Sequence, residues 1–235
     1  MLDLALVRAV DALDTYMMLA RRDPCALTNS TFAVRMDGTG QSILKRLEVF
    51  SEFLQPMPPE KLAFLKLAID WRNRKVHSLA DEKLKESDEK ELISNAEKLR
   101  VEHRGLDVKE LITHYKSAAH PSFKEAASII KLVQDAVSHF DGLLLAGLDI
   151  SEYVRDAVRI SLSTSSSSNA NASLKHACAK TWGNPKKRRE KALRALRLIG
   201  VHETQTITVR EVPDDLIEHL TGMTSEEAYS YFSRP

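Results

Sequence analysis

Two cysteines, eight glycines and eight prolines are few for a chain of 235 residues. That scarcity of turn-forming residues argues against a sandwich or a barrel, which need many tight turns. Cys25 and Cys178 stand far apart and match no metal-ligand or thiol-redox spacing, so neither a zinc knuckle nor a disulfide framework organises the fold. No apolar run approaches the roughly 18 residues of a membrane-spanning helix. The longest, around Leu143 to Leu148, is far shorter, and the first residues lack the basic segment, apolar stretch and cleavage site of a secretory leader. These absences predict an intracellular, reduced, cytoplasmic protein with no membrane partner. Nucleophile elbows, glycine-rich phosphate loops and the H-E-x-x-H motif are also missing, which leaves serine hydrolase, nucleotide-dependent and metalloprotease chemistry without a basis. His103, His114, His120 and His139 are spaced unlike a zinc site, so each is read as a surface or core residue, and no metal or cofactor is expected.

What is present is helix-forming. Hydrophobic residues make up 43% of the chain, enough to bury a core, and Leu, Ala, Lys and Glu are plentiful. An all-α fold is the expectation.

Net charge is only +1, but it is unevenly spread. Residues 1–150 hold 21 Lys and Arg against 23 Asp and Glu, whereas residues 151–235 hold 13 against 10. The excess lies between Lys175 and Arg197, where nine basic residues face one acid, Glu190. Lys186, Lys187, Arg188, Arg189, Lys191 and Arg194 are its centre, and a polyanion is the partner such a cluster suggests. A solvated helical face balanced by nearby acids is the alternative.

Periodicity places helices at 3–20, 42–54, about 60–77, up to His103, 108–119 and 151–162, with residues 23–40 a loop. Ser122 and Glu125 have capping-box spacing and open a helix whose Ala126, Ile130, Val133, Val137, Phe140 and Leu144 form the clearest apolar stripe. Short connections between such helices favour an antiparallel bundle over residues 1–162. Residues 163–173, STSSSSNANAS, have too little apolar surface to offset their ordering entropy and read as a flexible linker. The small basic module at 174–235 should then contain a helix at 185–199, a short strand around Thr206 to Val212 and two small helices, the last opened by Thr224 and Glu227.

One helix departs from a simple amphipathic pattern. On a wheel, Leu62, Leu65, Ile69 and Val76 lie at about 0°, 300°, 340° and 320°, while Arg72, Asn73 and His77 lie at about 280°, 20° and 60°, on or beside the same stripe. Phe64, Leu67 and Trp71 make a second apolar face centred near about 180°. A helix apolar on two sides is buried on two sides. One face can pack in the bundle, leaving the other, with its embedded polar groups, for a partner chain. An Arg in such a seam requires a carboxylate, a phosphate or water. Trp71 and Trp182 read as packing residues.

The segment RNRKVH, with Arg72, Asn73 and His77, resembles the R-x4-H signature of the HEPN superfamily, compact all-α domains that carry this motif on a late helix of a bundle. The resemblance covers roughly residues 1–148 and is strengthened by the two helices before the motif and the long striped helix after it. A second R-x4-H, Arg197 to His202, has Leu198 in place of the polar residue and Gly200 inside the helix, and is set aside. The resemblance implies a metal-independent endoribonuclease, a toxin or defence effector. It would act as a homodimer through the 60–77 helix, with RNA as substrate and an antitoxin or regulatory protein as further partner. His77 would move the proton of a ribose 2′-hydroxyl or of the leaving 5′-oxygen, Arg72 would hold the scissile phosphate, and Asn73 would orient the phosphate or the imidazole. In one branch of the superfamily a Tyr two residues after the His is modified by adenylylation; here that position is Leu79, which gives no support to such control. The competing reading is a non-catalytic helical module that binds nucleic acid or regulates through the basic 175–197 segment. In it, Arg72 is a structural Arg paired with an acid and His77 a helix-end residue.

Overall fold

The structure, a computed structural model, describes residues 1–21, 30–77, 84–163, 170–199, 201 and 212–233. Among the described residues there are thirteen helices and no strand, so the fold is all-α. The expected strand at Thr206 to Val212 falls almost wholly outside the described residues. The chain divides into two compact units, one within residues 1–144 and one from residue 145 onward.

The first unit is built on α1 (Leu2–Ala20), α2 (Ser30–Asp37), α3 (Ile43–Phe53), α4 (Pro59–Val76), α5 (Glu86–Ser94), α6 (Ala96–Glu102), α7 (Val108–Lys116) and α8 (Phe123–Ala146). Local chemistry sets several of these ends. Ser42 caps α3 by accepting from the Lys45 N–H, Pro59 starts α4 at a position that needs no N–H partner, and Asp107 accepts from Lys109 and Glu110 at the head of α7. Both bonds of the capping box at α8 are made: Ser122 N–H donates to Glu125 Oε2 at 2.6 Å, and Glu125 N–H to Ser122 Oγ at 3.3 Å. Residues 30–37, expected as loop, are helical, and Phe32 is the reason. It is buried, and its ring lies 5.7 Å from Phe50 and 5.3 Å from Phe53, holding a short polar helix against α3. Phe50 also meets Phe140 at 5.4 Å, which ties α3 to α8.

In α8 the core face is turned slightly from the expected stripe. Ala126, Val133, Phe140 and Leu144 are buried as expected, but Ile129, Leu132 and Ala136 complete the face while Ile130 is exposed. α4 packs against α1, α3 and α5 and is covered on both apolar sides. Leu65 and Ile69 of one stripe and Phe64, Leu67 and Trp71 of the other are all buried within the chain. The expectation that one face of this helix is left for a partner chain is therefore corrected: Leu62 of the first stripe is half-buried, and Val76 in the last turn is 44% exposed.

The second unit contains α9 (Ile150–Ser163), α10 (Ala170–Trp182), α11 (Arg188–Leu198), α12 (Asp214–Gly222) and α13 (Ser225–Phe232). Its core brings together Val154, Val158 and Leu162 of α9, Leu174, Cys178 and Trp182 of α10, Ala192 and Leu196 of α11, Ile217 and Leu220 of α12, and Ala228 and Phe232 of α13. α9 thus shares its core with the C-terminal helices, and the compact division falls near residue 145 rather than at the serine-rich stretch. Of that stretch, residues 164–169 lie outside the described residues, and α10 already starts at Ala170. Both capping bonds join Thr224 and Glu227 at the head of α13. No helix among the described residues is long and apolar enough to cross a membrane.

Candidate functional site

The last turn of α4 carries the motif residues, and ion pairs fasten that turn to α1. Lys75 lies 3.3 Å from Asp3, and Arg72 lies 2.7 Å from Asp11. The Arg72 guanidinium donates from Nε at 3.0 Å and from Nη2 at 2.7 Å to the same Asp11 Oδ1, while Nη1 donates to Asn73 Oδ1 at 3.3 Å. Three of its five N–H groups are engaged in this way. The Arg72 side chain is 17% exposed and that of Asp11 36%, so the pair sits at a wet edge rather than in the core. Arg74 and Lys75 anchor the same turn to α7: Arg74 donates to the Tyr115 carbonyl at 2.8 Å and lies over its ring, and Lys75 donates to the Ala118 carbonyl at 3.1 Å. Trp71 is a packing residue, its indole N–H reaching the Ala119 carbonyl at 3.3 Å.

His77 is the C-cap of α4. Its backbone N–H closes the helix on the Asn73 carbonyl at 2.8 Å, its own φ and ψ of −118° and 110° turn the chain out of the helix, and the residue is exposed. Of the other histidines of this unit, His103 is buried, His114 meets Glu125 at 2.9 Å, His120 pairs with Asp3, and His139 meets the Gln55 carbonyl at 3.0 Å. Among the described residues of the first unit, His77 alone is an exposed imidazole with no side-chain partner. Arg72 and Asn73 are brought together with Asp11, whereas His77 stands past the helix end, about 7.5 Å of axial rise beyond Arg72. Asp11 is the residue that sequence reading missed, because a contact across sixty-one positions leaves no local pattern.

The six basic residues predicted to bind nucleic acid separate into two kinds. Arg188 donates to the Trp182 carbonyl at 3.1 Å and to the Gly222 carbonyl at 3.2 Å, and Lys191 donates to the Lys180 carbonyl at 2.8 Å. These are last-turn carbonyls of α10 and α12 that lack intrahelical donors, so the two cations cap helices. Lys186, Lys187, Arg189 and Arg194 are exposed, and the N–H of Lys186 rests on Asn184 Oδ1 at 3.0 Å. A groove of about 410 Å³ runs between α9, α10 and α11, with Lys180, Lys191 and Arg194 on its rim and Leu162, Ala177 and Leu198 among its apolar residues. A larger concavity of about 600 Å³ between α12 and α13 is lined by Glu218, His219, Glu227 and Tyr231, none of them predicted site residues.

No group of three or more His, Cys, Asp or Glu among the described residues is placed to hold a metal ion. No family model, curated protein or solved structure matches this chain.

Proposed function

We propose that the first unit is a HEPN-type metal-independent endoribonuclease, acting as a toxin or defence effector, in which Arg72, Asn73 and His77 form the catalytic set. The observation that carries this reading is the presentation of His77. A helix-end imidazole, exposed and without a side-chain partner among the described residues, follows a guanidinium with two N–H groups still to place. In the proposed reaction a ribose 2′-oxygen attacks the adjacent phosphorus and the bond to the 5′-oxygen breaks. The 2′-hydroxyl proton passes to one imidazole, and a second proton is delivered to the leaving 5′-oxygen. His77 takes one of these roles and the partner's His77 the other, since a single imidazole serves poorly as both base and acid within one step. Arg72 stabilises the charge that builds on the phosphoryl oxygens, and Asn73, already bonded to it, fixes the plane of its guanidinium. Because both apolar faces of α4 are covered, the seam of the proposed homodimer is restricted to the last turn of α4 and the exposed side of α1, where Leu4 is 58% exposed.

A second reading has its own observation. Arg72 already holds a carboxylate, which is what a structural Arg does, and the groove rimmed by Lys180, Lys191 and Arg194 suits an anionic ligand. In that reading the chain is a non-catalytic nucleic-acid-binding or regulatory module. Purified wild type and His77→Ala incubated with total RNA in EDTA distinguish the two. Cleavage by wild type alone, leaving 2′,3′-cyclic phosphate and 5′-hydroxyl ends, is the expected result. Equal cleavage by both proteins, or none by wild type, overturns the assignment of His77.

A further inference from the structure

Leu198 closes α11 with 75% of its surface exposed, and it lines the groove of about 410 Å³ between α9, α10 and α11. Lys191, Arg194, Ala195 and Leu198 fall at i, i+3, i+4 and i+7, so a single face of α11 forms one wall, about 10.5 Å long. Ala177, Lys180 and Thr181, at i, i+3 and i+4 of α10, share a face and form the other. Ala177 and Ala195 carry nothing beyond Cβ, which leaves a depression where the two helices meet. Leu162, in the last turn of α9, lines it as well.

The charge on these walls has one sign. Lys180, Lys191 and Arg194 line the groove and no acid does. Lys191 donates to the Lys180 carbonyl at 2.8 Å, which fixes its ammonium at the wall with two N–H groups left to donate. The ion pairs described in this unit join Arg155 and Arg159 to Asp156, so none of the three groove cations is paired with a carboxylate among the described residues.

We propose that this groove docks a short acidic amphipathic helix of a protein partner, its apolar stripe seated on Leu162, Ala177, Ala195 and Leu198 and its flanking carboxylates on Lys180 and Arg194. A helix with apolar residues at i, i+3, i+4 and i+7 and acids on either side repeats, with opposite charge, the pattern that the walls present. Two turns of it match the length of the α11 wall. A nucleic acid also answers the charge, but its bases stack on aromatic rings, and no aromatic side chain lines this groove. The groove lies wholly within the second unit, so this role stands apart from the nuclease reading of Arg72, Asn73 and His77.

The test is titration of the full chain, with its leucine methyls labelled for NMR, against a capped synthetic helix carrying Leu at i, i+3, i+4 and i+7 and Glu on both flanks. The expected result is saturable shifts, largest at the methyls of Leu162 and Leu198, with a Kd below about 100 μM. The same Leu frame flanked by Lys should not bind, nor should the Glu helix with Ser in place of Leu. Leu198→Ser should weaken binding by at least about fivefold. Because that side chain is 75% exposed, its loss takes little from the core. Exchanging both exposed cations, Lys180→Glu with Arg194→Glu, should reverse the preference toward the Lys-flanked helix, a gain that a misfolded variant would not show. The proposal is overturned by no saturation at about 1 mM helix, by equal binding of the Lys-flanked helix to wild type, or by unchanged affinity in Leu198→Ser. A single-stranded RNA oligonucleotide that shifts the same methyls at lower concentration than the helix also overturns it, and assigns the groove to nucleic acid.

Discussion

Truncation of Arg72 to alanine separates a catalytic cation from a structural one, because the structure sets how little stability the change should cost. The guanidinium is 17% exposed and Asp11 36%, and the two bonds between them end on one carboxylate oxygen. Asp11 stays in contact with water when its partner is removed, so no charge is stranded in the core. A pair of this kind contributes about 0.5–1 kcal/mol. With a midpoint change of roughly 2–4 °C per kcal/mol for chains of this size, Arg72→Ala should unfold within a few degrees of wild type. Cleavage should respond on a different scale. Deleting one donor that stabilises transition-state charge costs about 10²–10³ in rate. The assay is RNA cleavage in EDTA with end analysis, beside a thermal melt of the same preparation. A variant that cleaves within about twofold of wild type refutes the role assigned to Arg72, since the loss of a transition-state contact has to appear in the rate. A variant that loses several kcal/mol of stability refutes the structural premise, and Arg72 is then a packing residue whose loss of activity carries no mechanistic meaning.

The second unit gives two more expectations. Replacing Lys186 and Lys187 by alanine should leave its stability unchanged, reduce RNA affinity, and lower the dependence of log K on log salt by about 1.4 to 1.8 if both lysines contact phosphates. Arg188→Ala instead removes the cap shared by α10 and α12 and should cost about 1–3 kcal/mol in a denaturation curve; an unchanged midpoint would refute its capping role. Burial pushes the Cys178 thiol up to about 11, so at pH 8 about a thousandth of it is thiolate. Alkylation of Cys178, followed by peptide mass analysis, should be blocked in the native protein and rapid in denaturant. Rapid labelling of the native protein would show that the α10 core opens readily.

Several helix boundaries were legible where a cap or a proline marked them, although the helix expected from Pro185 starts at Arg188. The two capping boxes, at Ser122 and Thr224, name both partners in four residues of sequence, and both are formed. α10 was missed because the serine-rich run before it dominates the composition. Yet Leu174, Cys178 and Trp182 recur every four residues, and this is the stripe that joins the second core. Its neighbour α9 illustrates a different limit. Its amphipathic face, Val154, Val158 and Leu162, is plain in the sequence, but which core that face enters is decided by helices further along the chain.

The candidate site shows the same division between residue type and partner. The motif fixed which side chains share the last turn of α4, but only the folded chain shows that Arg72 meets Asp11, sixty-one positions away, while His77 turns outward. Counting cations likewise merged two roles. Arg188 and Lys191 close helix ends, whereas Lys186 and Lys187 are exposed. A run of positive charge in sequence reports where lysines and arginines are dense. Their functions depend on the acceptors that the fold brings to them: carbonyls hold Arg188 and Lys191 at helix ends, and the exposed Lys186 and Lys187 beside them have the stronger claim to an anion.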